Sequence, residues 1–433
     1  MKKVYIDETS KKDILSTLLK RSTTDYGTYE KTVSGIIENV RKNGDQALFE
    51  YALKFDGCHL DHDNFTVSPA EIEEGIGRIP DRLIDIMQDS FLNIKKYHEK
   101  QVRQSFFSTE EGGIILGQRI TPLEKAGVYV PGGKAVYPST LLMNITPAIV
   151  AGVKDISICT PAGSDGKVSP YVLAAAYLTG VKKIYKSGGA QAIAAFAYGT
   201  ETVEKVDKIV GPGNIFVALA KKAVYGHVSI DSVAGPSEIM VLADESADPK
   251  FVAADLLSQA EHDEMASAML VTTSEKLASA VEKEIEGFLK KLSRASIIEK
   301  SLDNFGFILI TKDMKDAYSI VDMIAPEHLE IITADPWSDM TFIHNAGAMF
   351  IGPYSSEPLG DYFAGPNHVL PTNGTARFFS PLSVDDFIKK TSVISYSKEA
   401  LKKVHDKIEE FAKAEELTAH ANSIAVRFEK QED

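Results

Sequence analysis

From about residue 127 onward the chain repeats one pattern: a short β-favouring run that stops at glycine or proline, then a stretch of apolar and small residues. The runs are VYVPGG (128–133), DISICTPAG (155–163), KIYKSGGAQ (183–191) and KIVGPGN (208–214). Helices are predicted after them, near 139–151, 169–179, 190–197 and 214–225. Strands separated by 10–15-residue helices read as βαβ units on a mostly parallel sheet. A second series follows: strands at 238–244, 268–273 and 305–311 alternate with helices at 249–262, 275–292 and 313–325. LEIIT, MTFIHNAG and AMFIG then read as further short strands. Two α/β domains, or one interrupted by the other, are expected. The first 110 residues read as mainly helical, with apolar residues at three- and four-residue offsets over 12–20, 29–42 and 45–55, and helices near 70–77 and 82–100. After Pro381 an extended linker leads to a helix at 398–417, a tail that needs something to pack against.

Length and charge limit the function. The 433 residues suffice for two or more cores. Lys plus Arg total 47 against 61 Asp plus Glu, a net charge of -14, which argues against a nucleic-acid partner. The two cysteines, Cys58 and Cys159, make no disulfide framework and read as small buried hydrophobes. No stretch approaches ~18 uncharged apolar residues, so no membrane span is expected and the cytoplasm is the default.

Three glycine turns, GVYVPGG, KSGGAQ and IVGPGN, close predicted strands at their carboxyl ends, where open sheets bind ligands. Tyr129, Gln191 and Asn214 stand at or beside them. The GxGxxG fingerprint is absent, so spacing alone names no dinucleotide, and a tight turn without a ligand is an equal reading for each loop singly. Four further stretches hold polar groups suited to chemistry: SIDSVAGPSE with Ser237 and Glu238, IAPEHLE with Glu327 and His328, the loop 355–374 with Asp361 and His368, and AEELTAHAN with Glu415, Glu416 and His420. Each has a plain alternative, such as a helix cap for Glu327 or turn amides for Asp361. The segment SQAEHD (258–263) sets Gln259 and His262 three apart on one helix face, as half a metal site or as a solvated stripe. No HExxH or CxxC spacing decides the matter. An oxidoreductase using the sheet crevice, a zinc hydrolase built on His262, Glu327 and His328, and a binding protein without catalysis all remain open on these grounds.

The motifs GVYVPGG, SGGAQAIAAFAYGT, VDKIVGPGN, IDSVAGPSEIMVLAD, DLLSQAEHD, APEHLE, FIGPYSSEPLGDYFAGPNHVLPT and LTAHANS together resemble the histidinol dehydrogenases, closely over 120–430 and more loosely before. The resemblance implies an α/β fold with two incomplete Rossmann-like domains and parallel-rich sheets, a helical N-terminal region and a C-terminal dimerisation arm. The expected segments are 1–25 (helical), 26–130 with 237–380 (first domain), 131–236 (second domain) and 381–433 (arm). It also implies oxidation of L-histidinol to L-histidine with two NAD, through an aldehyde-level intermediate. One zinc per subunit would sit on Gln259, His262, Asp361 and His420. His328 is implied as general base and Glu327 as the activator of water. Ser237, His368 and Glu415 are implied as substrate contacts together with the metal ligands and the catalytic pair, and Tyr129, Gln191 and Asn214 as NAD contacts. A homodimer with shared sites is implied, in which Glu415 and His420 act on the neighbouring chain. No role is implied for either cysteine, and the terminal EKQED is expected to be an exposed end.

Overall fold

The computed structural model describes residues 1–19, 27–132, 137–233 and 235–429. Residue 20 of the first predicted helix, Gly133 of the first glycine turn, Ala234 and the terminal residues 430–433 lie outside them. The chain forms two compact units: Met1–Gln101 with Leu123–Phe387, and Val102–Pro122 with Ile388–Asp433.

The first unit contains both α/β series, each built on a parallel sheet. One sheet has five strands in the order Lys183–Lys186, Asp155–Thr160, Lys125–Tyr129, Lys208–Val210, Ser229–Ile230. The other has six, in the order Lys2–Tyr5, Gly306–Ile310, Ser267–Thr272, Glu238–Ala243, His328–Ile332, Ala348–Ile351. Every residue of Glu238–Ala243 and Ser267–Thr272 is buried. Helices cover both faces of such a sheet, so its strands read as unbroken apolar runs rather than alternating ones. Each Leu, Ile or Val taken fully out of water there contributes roughly 1.5–3 kcal/mol. In both sheets the strand order reverses once, between Lys125–Tyr129 and Lys208–Val210 in the first and between Glu238–Ala243 and His328–Ile332 in the second.

The expected helices are present at Pro69–Ile76, Asp81–His98, Pro138–Ala151, Pro170–Thr179, Gly189–Tyr198, Ile215–Val224, Glu275–Leu289 and Met314–Ile324. Local chemistry fixes their starts. Ser68, Asn214, Asp248, Ser274 and Asp313 each accept first-turn amide hydrogens, and proline opens several of the helices.

Several expectations are corrected. The chain begins with a strand, Lys2–Tyr5, which adds to the edge of the six-stranded sheet, so the 1–25 segment is not wholly helical. Residues 26–130 do not belong with that sheet. The strand Lys125–Tyr129 is central in the five-stranded one, and the helix Gly27–Tyr51 packs on Gly189–Tyr198 and Ile215–Val224 beside it. Apolar faces of those helices are complementary, and sequence order does not reveal such pairing. Residues 341–347 form no strand, and 398–417 is broken into Lys398–Lys402 and His405–Ala414. The second unit also starts later than 381 and takes in an earlier piece. Strand Ile388–Ser395 pairs antiparallel with Ile114–Pro122, which pairs with Phe106–Glu110, and the helix Thr418–Ala425 follows in the same unit. Both cysteines are free and buried. No helix among the described residues is long and apolar enough to cross a membrane.

Gly211 ends the strand Lys208–Val210 at φ +120°, and a Cβ there would stand 2.0 Å from the Tyr129 carbonyl oxygen. The buried Lys221 ammonium donates to the Gly211 carbonyl at 2.9 Å and pairs with Asp231, whose other oxygen accepts the Gly211 N–H at 2.8 Å. This ion pair holds the turn in a conformation that only glycine adopts easily. Gly211→Ala should cost about 1–3 kcal/mol and lower the thermal midpoint by several degrees. An unchanged melting curve would contradict this packing.

Candidate active site

Both reversal points of the two sheets border one cavity of about 430 Å³ in the first unit. Its walls include Pro212, Gly213 and Asn214 after one strand of the five-stranded sheet, and Ser237, Glu327 and His328 at the starts of two strands of the six-stranded sheet. The carboxyl edge of one sheet thus faces the amino edge of the other. Ligand crevices at carboxyl edges are the rule for open sheets, so the glycine turns follow expectation and the acid–base pair does not.

The amino edge is where the potential metal ligands gather. The helix Pro249–Ala260 connects neighbouring parallel strands and returns its C-terminus to that edge. Gln259 lies in its last turn. His262 lies two residues past its end, in a turn closed by the bond from its own N–H to the Gln259 carbonyl at 3.1 Å. The two therefore share a helix terminus rather than one continuous helical face. Gln259 is 1% exposed, and its Oε1 is buried without a hydrogen-bond partner. Asp361, expected in a loop, sits on the short helix Glu357–Tyr362, one turn after Glu357. Ligand atoms of His262, Glu357 and Asp361 lie within 4.8 Å of one another.

Helix Asp81–His98 steadies this segment from behind. Ser90 donates to the Tyr362 carbonyl at 2.6 Å and Asn93 to the Phe363 carbonyl at 3.0 Å. Buried Asn367 donates to the Met143 carbonyl at 2.7 Å. Those anchors hold His368 against Asp361, with Nδ1 3.2 Å from the Asp361 carbonyl oxygen and 3.4 Å from Oδ1.

At the adjacent strand starts, Glu327 and Glu238 clasp each other. The Glu238 N–H donates to Glu327 Oε2 at 2.9 Å, and the Glu327 N–H donates to Glu238 Oε2 at 3.3 Å. His328 Nδ1 lies 2.9 Å from the Glu238 carbonyl oxygen. A carbonyl only accepts, so Nδ1 carries the proton and Nε2 keeps its lone pair. Burial, only partly offset by the charge of Asp361, lowers the His328 imidazolium to about 4, so the ring is neutral near pH 7. Burial, and then the charge of Glu238, raises Glu327 well above the usual carboxyl range. Burial, and then Asp361, pushes Glu357 up to about 8. Burial would raise Asp361 too, but the hydrogen bond and charge of His368, with the charges of His328 and His262, outweigh it and bring Asp361 below its ordinary value. The cavity thus sets an unprotonated imidazole among carboxyl groups of divided proton affinity, an arrangement suited to proton transfer at a bound substrate.

The three glycine turns meet at the five-stranded sheet. A Cβ on Gly132 or Gly188 would press on Pro161, at 2.3 and 2.9 Å, and the Tyr129 hydroxyl accepts the Gly189 N–H at 3.0 Å. Gln191 is buried in the first turn of the helix Gly189–Tyr198. Asn214 Oδ1 caps its own helix by accepting from the amides of Phe216 and Val217 at 3.1 and 3.3 Å, which leaves its amino group for other partners. Of the expected residues, Ser237, Gln259, His262, Glu327, His328, Asp361, His368 and Asn214 all line the cavity. Tyr129 and Gln191 lie in the packed base of the turns. Glu415 and His420 belong to the second unit, where both are exposed, one just after helix His405–Ala414 and the other on Thr418–Ala425. Glu357, Lys221 and Asp231 line the cavity without having been singled out from the sequence.

Comparison with known proteins identifies the lineage of this site. The histidinol dehydrogenase family profile matches residues 19–428. The chain belongs to the histidinol dehydrogenase family. The histidinol dehydrogenase of Clostridium acetobutylicum is 56% identical over 398 residues, covering 92% of each chain. That of Geobacillus kaustophilus is 56% identical over 414 residues, 95% of this chain and 97% of the other. The crystal structure of histidinol dehydrogenase from Elizabethkingia anophelis superposes with a TM-score of 0.93 at 38% identity, covering 99% of this chain and 98% of that one. Membership of the family makes the protein an NAD-dependent oxidoreductase of histidine biosynthesis. The hydrolase and the non-enzymatic readings are set aside on the same ground.

The orphaned Gln259 oxygen gives a test that needs no substrate. A buried acceptor without a donor costs roughly 1–3 kcal/mol. Gln259→Met keeps the side-chain volume and removes that cost, so metal-free Gln259→Met should melt at or above the temperature of the metal-free parent. A clear fall would show that the carbonyl has a stabilising partner within the protein.

Proposed function

We propose that the protein oxidises L-histidinol to L-histidine in two hydride transfers to NAD, passing through an aldehyde-level intermediate, and that it works with one zinc per chain. The single observation that carries this reading is the meeting, in one cavity, of Gln259, His262 and Asp361 with His328, whose Nε2 retains its lone pair. The donor set fits a divalent cation. A buried amide oxygen without a partner, an imidazole and a carboxylate are oxygen and nitrogen ligands of the kind zinc accepts. Gln259, His262 and Asp361 would hold it, with His420 from the C-terminal arm of a second copy completing the set. When bound, zinc would supply a positive anchor for the nitrogen donors of histidinol.

The protein side chains then divide the work. His328, neutral at working pH and with Nε2 available, takes the hydroxyl proton as hydride leaves the carbinol carbon. Water must next add to the aldehyde-level carbon, and Glu327 removes its proton. A carboxyl whose proton affinity is raised by burial is a stronger base in its ionised form. His328 serves again as base for the second hydride transfer. No thiol is needed to trap the intermediate, and burial raises Cys159 well above the usual thiol value, which disfavours the nucleophilic thiolate. Ser237, His368 and Glu415 would contact the substrate. Tyr129, Gln191 and Asn214 would contact NAD at the carboxyl edge of the five-stranded sheet. The pairing of two copies is favoured by Phe106, Phe107, Ile394 and Phe411, large apolar side chains left exposed on the second unit.

Incubation of the enzyme with L-histidinol and excess NAD should yield two NADH per histidinol consumed, and His328→Asn should cut turnover by roughly 10²- to 10⁴-fold without loss of bound metal. One NADH per substrate, or near-normal turnover in the variant, would contradict the assignment.

A further inference from the structure

Glu357 lies at the start of a one-turn helix, where an acidic residue ordinarily needs no explanation. Its surroundings give it one. The side chain is 2% exposed, its helix places Asp361 one turn later, and its ligand oxygen lies within 4.8 Å of donor atoms of both Asp361 and His262. Two contacts fix the residue: Ser258 Oγ donates to Glu357 Oε2 at 3.1 Å, and the Glu357 N–H donates to Glu330 Oε1 at 2.8 Å. Glu330 is itself fully buried. Four acidic groups therefore cluster here, Glu357 and Asp361 on the cavity wall with Asp255 and Glu330 next to them, and no Lys or Arg ion pair is found for any of them among the described residues. Buried carboxylates without a cationic partner are costly unless they bind a metal. An independent observation points to a cation ligand: the Gln259 amide oxygen on the same cavity wall is buried and unpartnered.

We infer that Glu357 belongs to the metal centre, supplying a second anionic charge beside Asp361 and helping to retain the divalent cation. The inference rests on the zinc reading above. Gln259 and the histidines are neutral ligands, so Asp361 alone would leave the centre with a net positive charge in a buried pocket. Glu357, giving up its proton as the cation binds, brings the sum to zero. Ser258, next to Gln259 in sequence, orients its carboxylate and so ties two ligand-bearing segments together. Partners of this kind, standing behind or beside the ligands, typically change metal affinity by about 10–100-fold when removed.

The test compares Zn²⁺ affinity, by competition with a chromophoric chelator, and metal-free thermal midpoints for the full-length parent, Glu357→Gln, Ser258→Ala and His262→Asn. Glu357→Gln should bind Zn²⁺ about 10–100-fold more weakly while its metal-free form melts at or above the parent, because without a cation burial favours the uncharged carboxyl, which the amide mimics. Ser258→Ala should weaken binding by a smaller factor. A residue with a merely structural role would instead lower the metal-free midpoint. Parental affinity in Glu357→Gln, or a lower midpoint in its metal-free form, overturns the inference while leaving the zinc reading intact if His262→Asn still loses the metal. Equal zinc binding by His262→Asn and the parent overturns the zinc reading, and this inference with it.

Discussion

The candidate site depends on how the first unit carries acidic side chains in its interior, at the amino edge of one parallel sheet. Glu238, Glu327, Glu330 and Glu357 are all buried at or near the amino edge of one parallel sheet. Backbone amides satisfy part of the demand: Glu238 and Glu327 exchange N–H donors, Glu330 receives that of Glu357, and Asn373 gives its N–H to Glu238 at 3.2 Å. Those bonds fix geometry, burial favours the protonated form of Glu327, Glu330 and Glu357, and the charge of Asp361 is left to the histidines that face it and to any cation the cavity takes. The proton affinity of Glu327 follows from this burial, and the tautomer of His328 from the Glu238 carbonyl beside it.

The two sheets contribute opposite edges to the cavity, and the difference matches two tasks. At the carboxyl edge of the five-stranded sheet, small residues let turns pack closely, with Pro161 filling the space that side chains on Gly132 and Gly188 would take. The buried Lys221–Asp231 pair locks the last of these turns through both backbone groups of Gly211. At the amino edge of the six-stranded sheet, strand starts and a helix end carry side chains rather than bare backbone. A proton donor and acceptor set on strand starts inherits the rigidity of the sheet, and rigid placement is what a proton transfer requires.

Much of this was legible beforehand. The alternation of β-favouring runs and helices located nearly all the central strands, because parallel strands buried on both faces leave a continuous apolar signature. Gln259 and His262 were visible as a spaced pair, although the helix stops before the histidine. Other features were hidden for physical reasons. Lys2–Tyr5 has four residues and pairs with a strand 305 positions away, so no local signal marks it. The antiparallel strands at Phe106–Glu110 and Ile114–Pro122 find their third strand only near the C-terminus. Glu357 follows Ser356 and precedes Pro358, a sequence indistinguishable from an ordinary helix start, and Lys221 resembles a solvated basic residue in a last turn. Their meaning comes from burial, and burial of a charge is decided by partners distant in sequence.

The most direct measurement is a calorimetric titration of Zn²⁺ into chelator-treated protein, with melting curves recorded before and after. Saturation at one equivalent per chain, with a rise of the midpoint as the cation binds the folded state, is the result expected if Gln259, His262 and Asp361 hold the proposed zinc. Absence of saturable uptake, or uptake with no gain in thermal stability, would contradict the account at its centre.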